Sequence, residues 1–313
     1  MQGIDVSKHN GTVDWEKAKS AGLEFAVIRC GFGSDIQSQD DEQFARNVQE
    51  CDRLGIPWGA YLYSYALDLE EAKSELAHML RLLRGKKPQF PVYLDMEDAD
   101  GYKAKHGMPS RRMLTDIIKT VCGGLRSAGF LSGYYVNLDW YNNRIYPDDL
   151  RSYEFWYARP GVEKPDLECG LWQSAFPETG GAWPGANLPG GGCDMDVGFR
   201  DYPRMVREAG LNGFAATQRA RVAGTDTVIE SQCVLDTTVD MERPLGACYT
   251  LLLKCPVRPT VTAGTPVVCV CPLYQNAPGV WLCNLVGYLR GTAGIYTQVP
   301  GEPACIRFRY RVV

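Results

Sequence analysis

Between Met1 and Phe130 short apolar runs alternate with longer stretches whose apolar residues recur at helical spacing. GIDVS reads as a short strand, Asp14 is placed to N-cap the helix WEKAKSAG, and Gly22 ends that helix. FAVIRC is an apolar strand, followed by the Gly-rich GFGS and the helix DEQFARNVQECDRLG. PWGAYLYSYA and FPVYLDMED are the next two strands, trailed by the helices LEEAKSELAHMLRLLRG and RRMLTDIIKTVCGGLRSAG. Strands separated by helices of this length are joined by crossovers and therefore run parallel. FLSGYYVN, SYEFWYAR, CGLWQSA and GGCDMDV continue as four more strands, but Pro- and Gly-rich loops stand between the last three where helices are expected. The pattern predicts an α/β fold, an irregular TIM-like (β/α) barrel with its last helices missing, closed by the helix YPRMVREAGL.

Past Gly213 the pattern changes. Residues 214–226 read as a linker, and the remainder is rich in Val, Thr, Leu and Cys with no helical window. VIESQCVLD, ACYTLLLKC, TVTA, PVVCVC, VWLCNLVGYL, GIYTQV and CIRFRYRVV are candidate strands separated by Gly/Pro turns. The expected organisation is thus a barrel domain over residues 1–213, a linker, and a small all-β sandwich over residues 227–313.

Composition narrows the classes of function. With 313 residues, 45% hydrophobic and 22% charged, the chain has the profile of a globular protein. The net charge of −4 is uneven: residues 1–219 carry 25 Lys and Arg against 31 Asp and Glu, and residues 220–313 carry 8 against 6. Neither part has the clustered basic face that neutralises phosphates, so nucleic acid is excluded as an expected partner. No apolar run approaches the length of a membrane span, and MQGIDVSKHNG lacks the basic-then-apolar pattern of a signal peptide. That start is read as a protein made and kept in the cytoplasm, one made there and released by lysis or a holin-type pore, or a secreted one numbered from a trimmed start. The twelve cysteines lack paired C-x-x-C spacing and only three histidines accompany them, so no metal or other cofactor is expected and the thiols are read mostly as free, buried, small apolar groups. Cys269 and Cys271 share one strand face and are poorly placed to bridge each other.

The strongest chemical feature is Asp95-Met96-Glu97 at the end of an apolar strand. Positions i and i+2 of a strand face the same way, so both carboxyls are expected in the barrel mouth. Two carboxyls in one partly dry site cannot both ionise cheaply, and the one that keeps its proton can protonate the leaving oxygen of a glycosidic bond while the other stabilises positive charge or acts on the opposite face. Asp5 ends the first strand, where burying an acid without a task is costly. Asp194 and Asp196 are expected at the end of the last strand, beside Asp5 once the barrel closes, Asp196 as a substrate contact. Aromatic side chains that can stack on sugar faces gather on the same strands, among them Tyr61, Tyr63, Tyr135 and Trp172, although strand alternation turns about half of such residues outward.

These segments resemble landmarks of a known family. GIDVSKHNGTVDW, the D-x-E of YLDMED, GYYVN, FWYAR, LWQ and CDMDV are similar, in that order over residues 1–210, to glycoside hydrolase family 25, the Chalaropsis-type lysozymes or muramidases. The resemblance implies an irregular β/α barrel and, as substrate, bacterial peptidoglycan cut at the β-1,4 bond between N-acetylmuramic acid and N-acetylglucosamine. It implies Glu97 as general acid and Asp95 as the partner carboxylate, either nucleophile or support for the substrate's own acetamido group. Asp5 and Asp194 then correspond to the other acids, and Tyr135 and Trp172 to substrate-lining positions. Two departures stand out: KHN replaces a Gln-containing turn after the first strand, and YLYSYA replaces a Tyr-His-Phe-like strand. A cutter followed by a binder suggests an endolysin. The alternative, a carbohydrate-binding protein on a disabled barrel, is countered by the intact acids, and a chitin-cleaving site by the lack of a D-x-x-D-x-D-x-E series. Residues 220–313 lie outside the resemblance. Their mild basic surplus fits a sandwich that binds anionic wall polymers, or one that serves dimerisation.

Overall fold

The computed structural model describes residues 1–313 and divides into two compact units, Met1–Val206 and Arg207–Val313. In the first, eight strands close into a barrel in chain order: β1 (Gln2–Val6), β2 (Phe25–Phe32), β3 (Trp58–Tyr63), β4 (Val92–Asp95), β5 (Ser132–Asn137), β6 (Glu154–Ala158), β7 (Leu171–Ala175) and β8 (Asp194–Gly198). All eight were legible as strands in the sequence. The intervening helices are α1 (Trp15–Ser20), α2 (Phe44–Leu54), α3 (Leu69–Leu82), α4 (Tyr102–Lys105), α5 (Arg111–Ser127) and α6 (Leu138–Asn143), with α7 (Tyr202–Ala209) after the last strand. Asp14 caps α1 through the Lys17 N–H at 3.0 Å, as its position predicts. The one-turn α4 and the short α6 carry too few residues to show a period, and the pattern did not reveal them. The β6–β7 and β7–β8 connections are loops, the second with a 3-10 turn, and neither holds an α-helix, as expected.

One expectation about direction is corrected. β1 to β7 pair in parallel, whereas β8 is antiparallel to both β7 and β1. Asp194 therefore lies at the start of β8, and because that strand is reversed its start reaches the rim formed by the ends of the others. The pairing Asp5↔Asp194 places the two residues side by side. The β7–β8 connection carries no α-helix and turns the chain around, whereas the equally helix-free β6–β7 connection still brings its strand in parallel.

Strand alternation produces two apolar layers. Ile4, Val6, Ala26, Ile28, Leu62, Leu94 and Val136 face outward into the core shared with the helices. The alternate residues, Phe25, Val27, Tyr61, Tyr93, Tyr135, Trp156 and Leu171, fill the barrel interior, joined by Phe90, whose ring stacks on Phe25 at 4.4 Å. The lower interior is therefore packed solid, as in other closed barrels of eight strands. Crowding there selects small residues: a Cβ on Gly133 would stand 2.4 Å from the Glu154 carbonyl oxygen and 2.6 Å from the Tyr93 ring. Only the upper ends of the strands leave room for chemistry.

The second unit holds two antiparallel-dominated sheets. One contains β9 (Gln218–Val222), β10 (Val228–Ser231), β12 (Met241–Arg243), β14 (Thr260–Ala263), β18 (Gly291–Gln298) and β19 (Cys305–Val312), and the other β11 (Val234–Leu235), β13 (Cys248–Lys254), β15 (Val268–Val270), β16 (Tyr274–Ala277) and β17 (Val280–Gly287). Leu251, Leu253, Cys283 and Leu285 from one sheet and Ile295, Phe308, Tyr310 and Val312 from the other form a single apolar core, which makes the unit a β-sandwich. β9 lies within the stretch expected as a linker, and the expected strand VIESQCVLD is broken into β10 and β11. A polar network sits inside this core: Arg307 donates to Ser231 Oγ at 2.8 Å and to the Cys233 carbonyl at 2.6 Å, and Ser231 Oγ donates to Glu302 at 2.8 Å. The twelve cysteines are free thiols, all but Cys248, Cys269 and Cys271 buried. No helix of the chain is long and apolar enough to cross a membrane.

Candidate active site

The inward side chains at the upper ends of the strands line a pocket of about 390 Å³. Asp5 from β1, Asp95 from β4, Glu97 just beyond β4 and Asp194 at the start of β8 all face it, with Tyr61, Tyr63 and Tyr135. β4 itself ends at Asp95, but the Met96 N–H still donates to the Tyr135 carbonyl at 3.0 Å, which carries the strand direction far enough to bring Glu97 into the same space.

Two of the expected substrate contacts are placed elsewhere. Trp172 points out of the barrel and packs with Tyr157 and Cys169, its indole donating to the Arg159 carbonyl at 2.9 Å. Its neighbour Gln173 occupies the inward position. β7 is buried on both faces, so its sequence shows no polar alternation to say which side is inside. Asp196 does face inward, but one step down from Asp194; it is fully buried, beneath the pocket, where it accepts a hydrogen bond from Trp156 Nε1 at 2.8 Å.

Several pocket residues were missed. Gln173 links two strands: its amide donates to Asp5 at 2.7 Å and its carbonyl accepts from the Tyr135 hydroxyl at 2.8 Å. Trp156 was not missed: it belongs to the strand aromatics whose side alternation left open, and its indole packs edge-on against Tyr135 at 4.7 Å and Tyr61 at 5.6 Å and lines the pocket from β6. Arg29 reaches it from β2 and is held by Asp41 at 2.8 Å. A signal for Arg29 was present, since an Arg inside the apolar run FAVIRC is as costly to bury as Asp5. Lys103, on the unforeseen α4, is buried behind the wall and had no signal.

Burial drives the electrostatics. Glu97 is pushed up to about 7, first by desolvation; Lys103 pulls it down, and Asp194, Asp100 and Asp98 add to the rise. Asp95 is held well above the usual carboxyl range by burial and by the charge of Glu97, against the opposing pull of Lys103 and Arg29. Asp5 is raised by burial and then by Asp194 and Asp196, Asp194 rises to about 6, and Asp196 rises to about 8 despite the hydrogen bond from Trp156. One oxygen each of Asp95 and Asp196 is buried with no donor, an arrangement that a bound proton makes tolerable. The site therefore keeps protons on some carboxyls near neutral pH and can deliver one to a substrate oxygen. No group of three or more His, Cys, Asp or Glu side chains is arranged to hold a metal ion.

Replacing Gln173 with Leu is expected to leave the Tyr135 hydroxyl without its acceptor and to take from Asp5 the amide that donates to it. The cost is about 1–3 kcal/mol of stability, and the urea midpoint measures it; a midpoint equal to that of the parent protein would show that the bridge contributes nothing.

The fold and the site together are those of an irregular eight-stranded barrel with acids gathered at the ends of its strands. Residues 4–176, just over half of the chain, match the model for glycosyl hydrolases family 25, and the chain belongs to that family. Among curated relatives, lysozyme M1 of Streptomyces globisporus is 38% identical over 64 residues, covering 20% of this chain and 21% of the relative. The autolytic lysozyme of Clostridium acetobutylicum is 22% identical over 196 residues, covering 63% of this chain and 55% of the relative. The matches thus span from one fifth to about half of those relatives' own length. Among solved structures, the spore cortex lytic enzyme SleM of Clostridium perfringens aligns with 98% of this chain and 95% of its own, at a TM-score of 0.54 and 14% identity, which is a likeness of fold.

Proposed function

We propose that the protein is a peptidoglycan hydrolase of lysozyme type that cleaves the β-1,4 bond between N-acetylmuramic acid and N-acetylglucosamine, with Glu97 as general acid and Asp95 as the partner carboxylate. One observation carries this reading: acids from three separate strands meet in one pocket, and burial there pushes Glu97 up to about 7. Asp5 and Asp194 complete the acidic surround, and Tyr61, Tyr63 and Tyr135 line the same pocket. Membership of the family and the lysozyme names of the relatives point the same way.

The cleft extends beyond the acids. The pocket shares His9, Arg29, Tyr63 and Ala99 with a second cavity of about 470 Å³, and that one shares Phe32, Tyr65 and Asp100 with a third of about 300 Å³. A groove of this extent suits several sugar units of a chain, which favours cutting within a polymer over trimming its end. An endolysin or autolysin role fits this arrangement.

The test is incubation of the full chain with purified bacterial cell walls, in parallel with chitin oligomers, followed by mass analysis of the new reducing ends. Release of fragments ending in N-acetylmuramic acid from walls, with chitin left intact, is expected. Fragments ending in N-acetylglucosamine, or no release at all, would sink the bond assignment.

A further inference from the structure

Lys103 is a fully buried lysine. Its Nζ donates to the Glu97 carbonyl at 2.9 Å and to the Ser64 carbonyl, and lies 5.8 to 6.0 Å from the ring centroids of Tyr63, Tyr65 and Trp140. Such a position is costly for an ammonium unless opposite charges and acceptors surround it. They do: Glu75 faces it from α3, Asp95 from the end of β4, and Glu97 and Asp98 from the segment that follows.

The same segment folds back on itself. The Asp98 carboxylate accepts from the backbone N–H groups of Lys103 at 2.7 Å and Ala104 at 3.0 Å, which fixes α4 and returns the lysine to the carbonyl next to Asp98. On the other side Glu75 accepts from Ser64 Oγ at 2.8 Å and from the N–H groups of Tyr65 at 2.6 Å and Ala66 at 3.0 Å, which holds the end of β3. Lys103 is thus the pin between the ends of β3 and β4.

We propose that Lys103 is a positioning residue for the reaction: by drawing the Glu97 and Ser64 carbonyls onto one ammonium it fixes the direction in which Glu97 presents its carboxyl to the pocket, and it supplies the counter-charge of the Asp95–Glu97 couple. The inference deepens the hydrolase reading and rests on the assignment of Glu97 as acid. Glu97 is also faced by Asp98, Asp100 and Asp194, and Asp95 by Arg29 and Glu75, so Lys103 opposes a mostly negative surround. Its loss lets both acids hold protons to higher pH.

Three full-length variants test this: Lys103→Met, Lys103→Arg, and Lys103→Met combined with Glu75→Gln, which removes both buried charges and protects the fold from an orphaned Glu75. Hydrolysis of soluble glycan strands is followed against pH, and the side-chain carboxyls of Glu97 and Asp95 are titrated by 13C NMR, assigned with Glu97→Gln and Asp95→Asn. The methionine variants should lose about 10- to 100-fold in kcat with little change in KM. Both limbs of the pH profile and both carboxyl titrations should move upward, and Lys103→Arg should return them toward the parent values. Unmoved limbs and titrations in a folded methionine variant, or a rise in KM alone, overturn the proposal. If the parent protein cleaves no glycan, the hydrolase reading is lost while the NMR titration still decides: a Glu97 signal that ignores the lysine defeats the inference, and one that moves upward supports it.

Discussion

Glu97→Gln is expected to lower glycan cleavage by about 10²- to 10⁴-fold and to leave the fold intact. The side chain stands in the pocket, half-buried, with its backbone carbonyl, not its carboxyl, tied to Lys103. An amide of the same shape fits that space but has no proton to give. Because the carboxyl is pushed up to about 7, activity of the parent enzyme should fall as the pH rises through that region, where the acid form disappears. In the variant the remaining activity should lose this alkaline limb. A folded Glu97→Gln protein that lyses walls at the parental rate would show that another group supplies the proton.

Raising the pH from about 4 to about 8 is expected to destabilise the barrel, the reverse of the behaviour of a protein whose acids are salt-bridged. Asp5, Asp95, Glu97, Asp194 and Asp196 all bind protons more tightly in the folded chain than in the unfolded one. Their stabilisation is complete below the ordinary carboxyl values near ~4. It is lost as the pH rises past folded-state values of about 6 for Asp194, about 7 for Glu97 and about 8 for Asp196. Glu97 alone corresponds to a loss on the order of 3 kcal/mol. Urea midpoints measured at intervals across this range should fall steadily. Asp196→Asn keeps an acceptor for Trp156 Nε1 and removes a buried charge, so it should raise the midpoint at the alkaline end and flatten the slope. A parent midpoint that climbs with pH would mean these acids ionise cheaply, and the proton-holding site would lose its basis.

A buried acid at a strand end was the most informative single feature of the chain. Asp5 and Asp95 stand out because carboxylates in apolar runs are expensive, and both reach the pocket. Arg29 carried the same kind of signal. Trp172 and Asp196 show the opposite case: each sits on a strand that belongs to the barrel, yet side-chain parity and depth set it away from the pocket. Lys103 and Gln173 act through contacts with residues distant in the chain, Ser64 for one and Asp5 and Tyr135 for the other.

By itself the amino-acid sequence determined the eight barrel strands, the main helices, the presence of a second β unit and most of the acids, because periodicity and the cost of burying charge are written locally. Tertiary structure alone decided that β8 runs backward, that Gln173 and not Trp172 faces inward, and that a lysine from a one-turn helix donates to carbonyls at the ends of β3 and β4. The physical reason is that an apolar strand covered on both faces records burial but neither direction nor side, and these are settled only when the barrel closes.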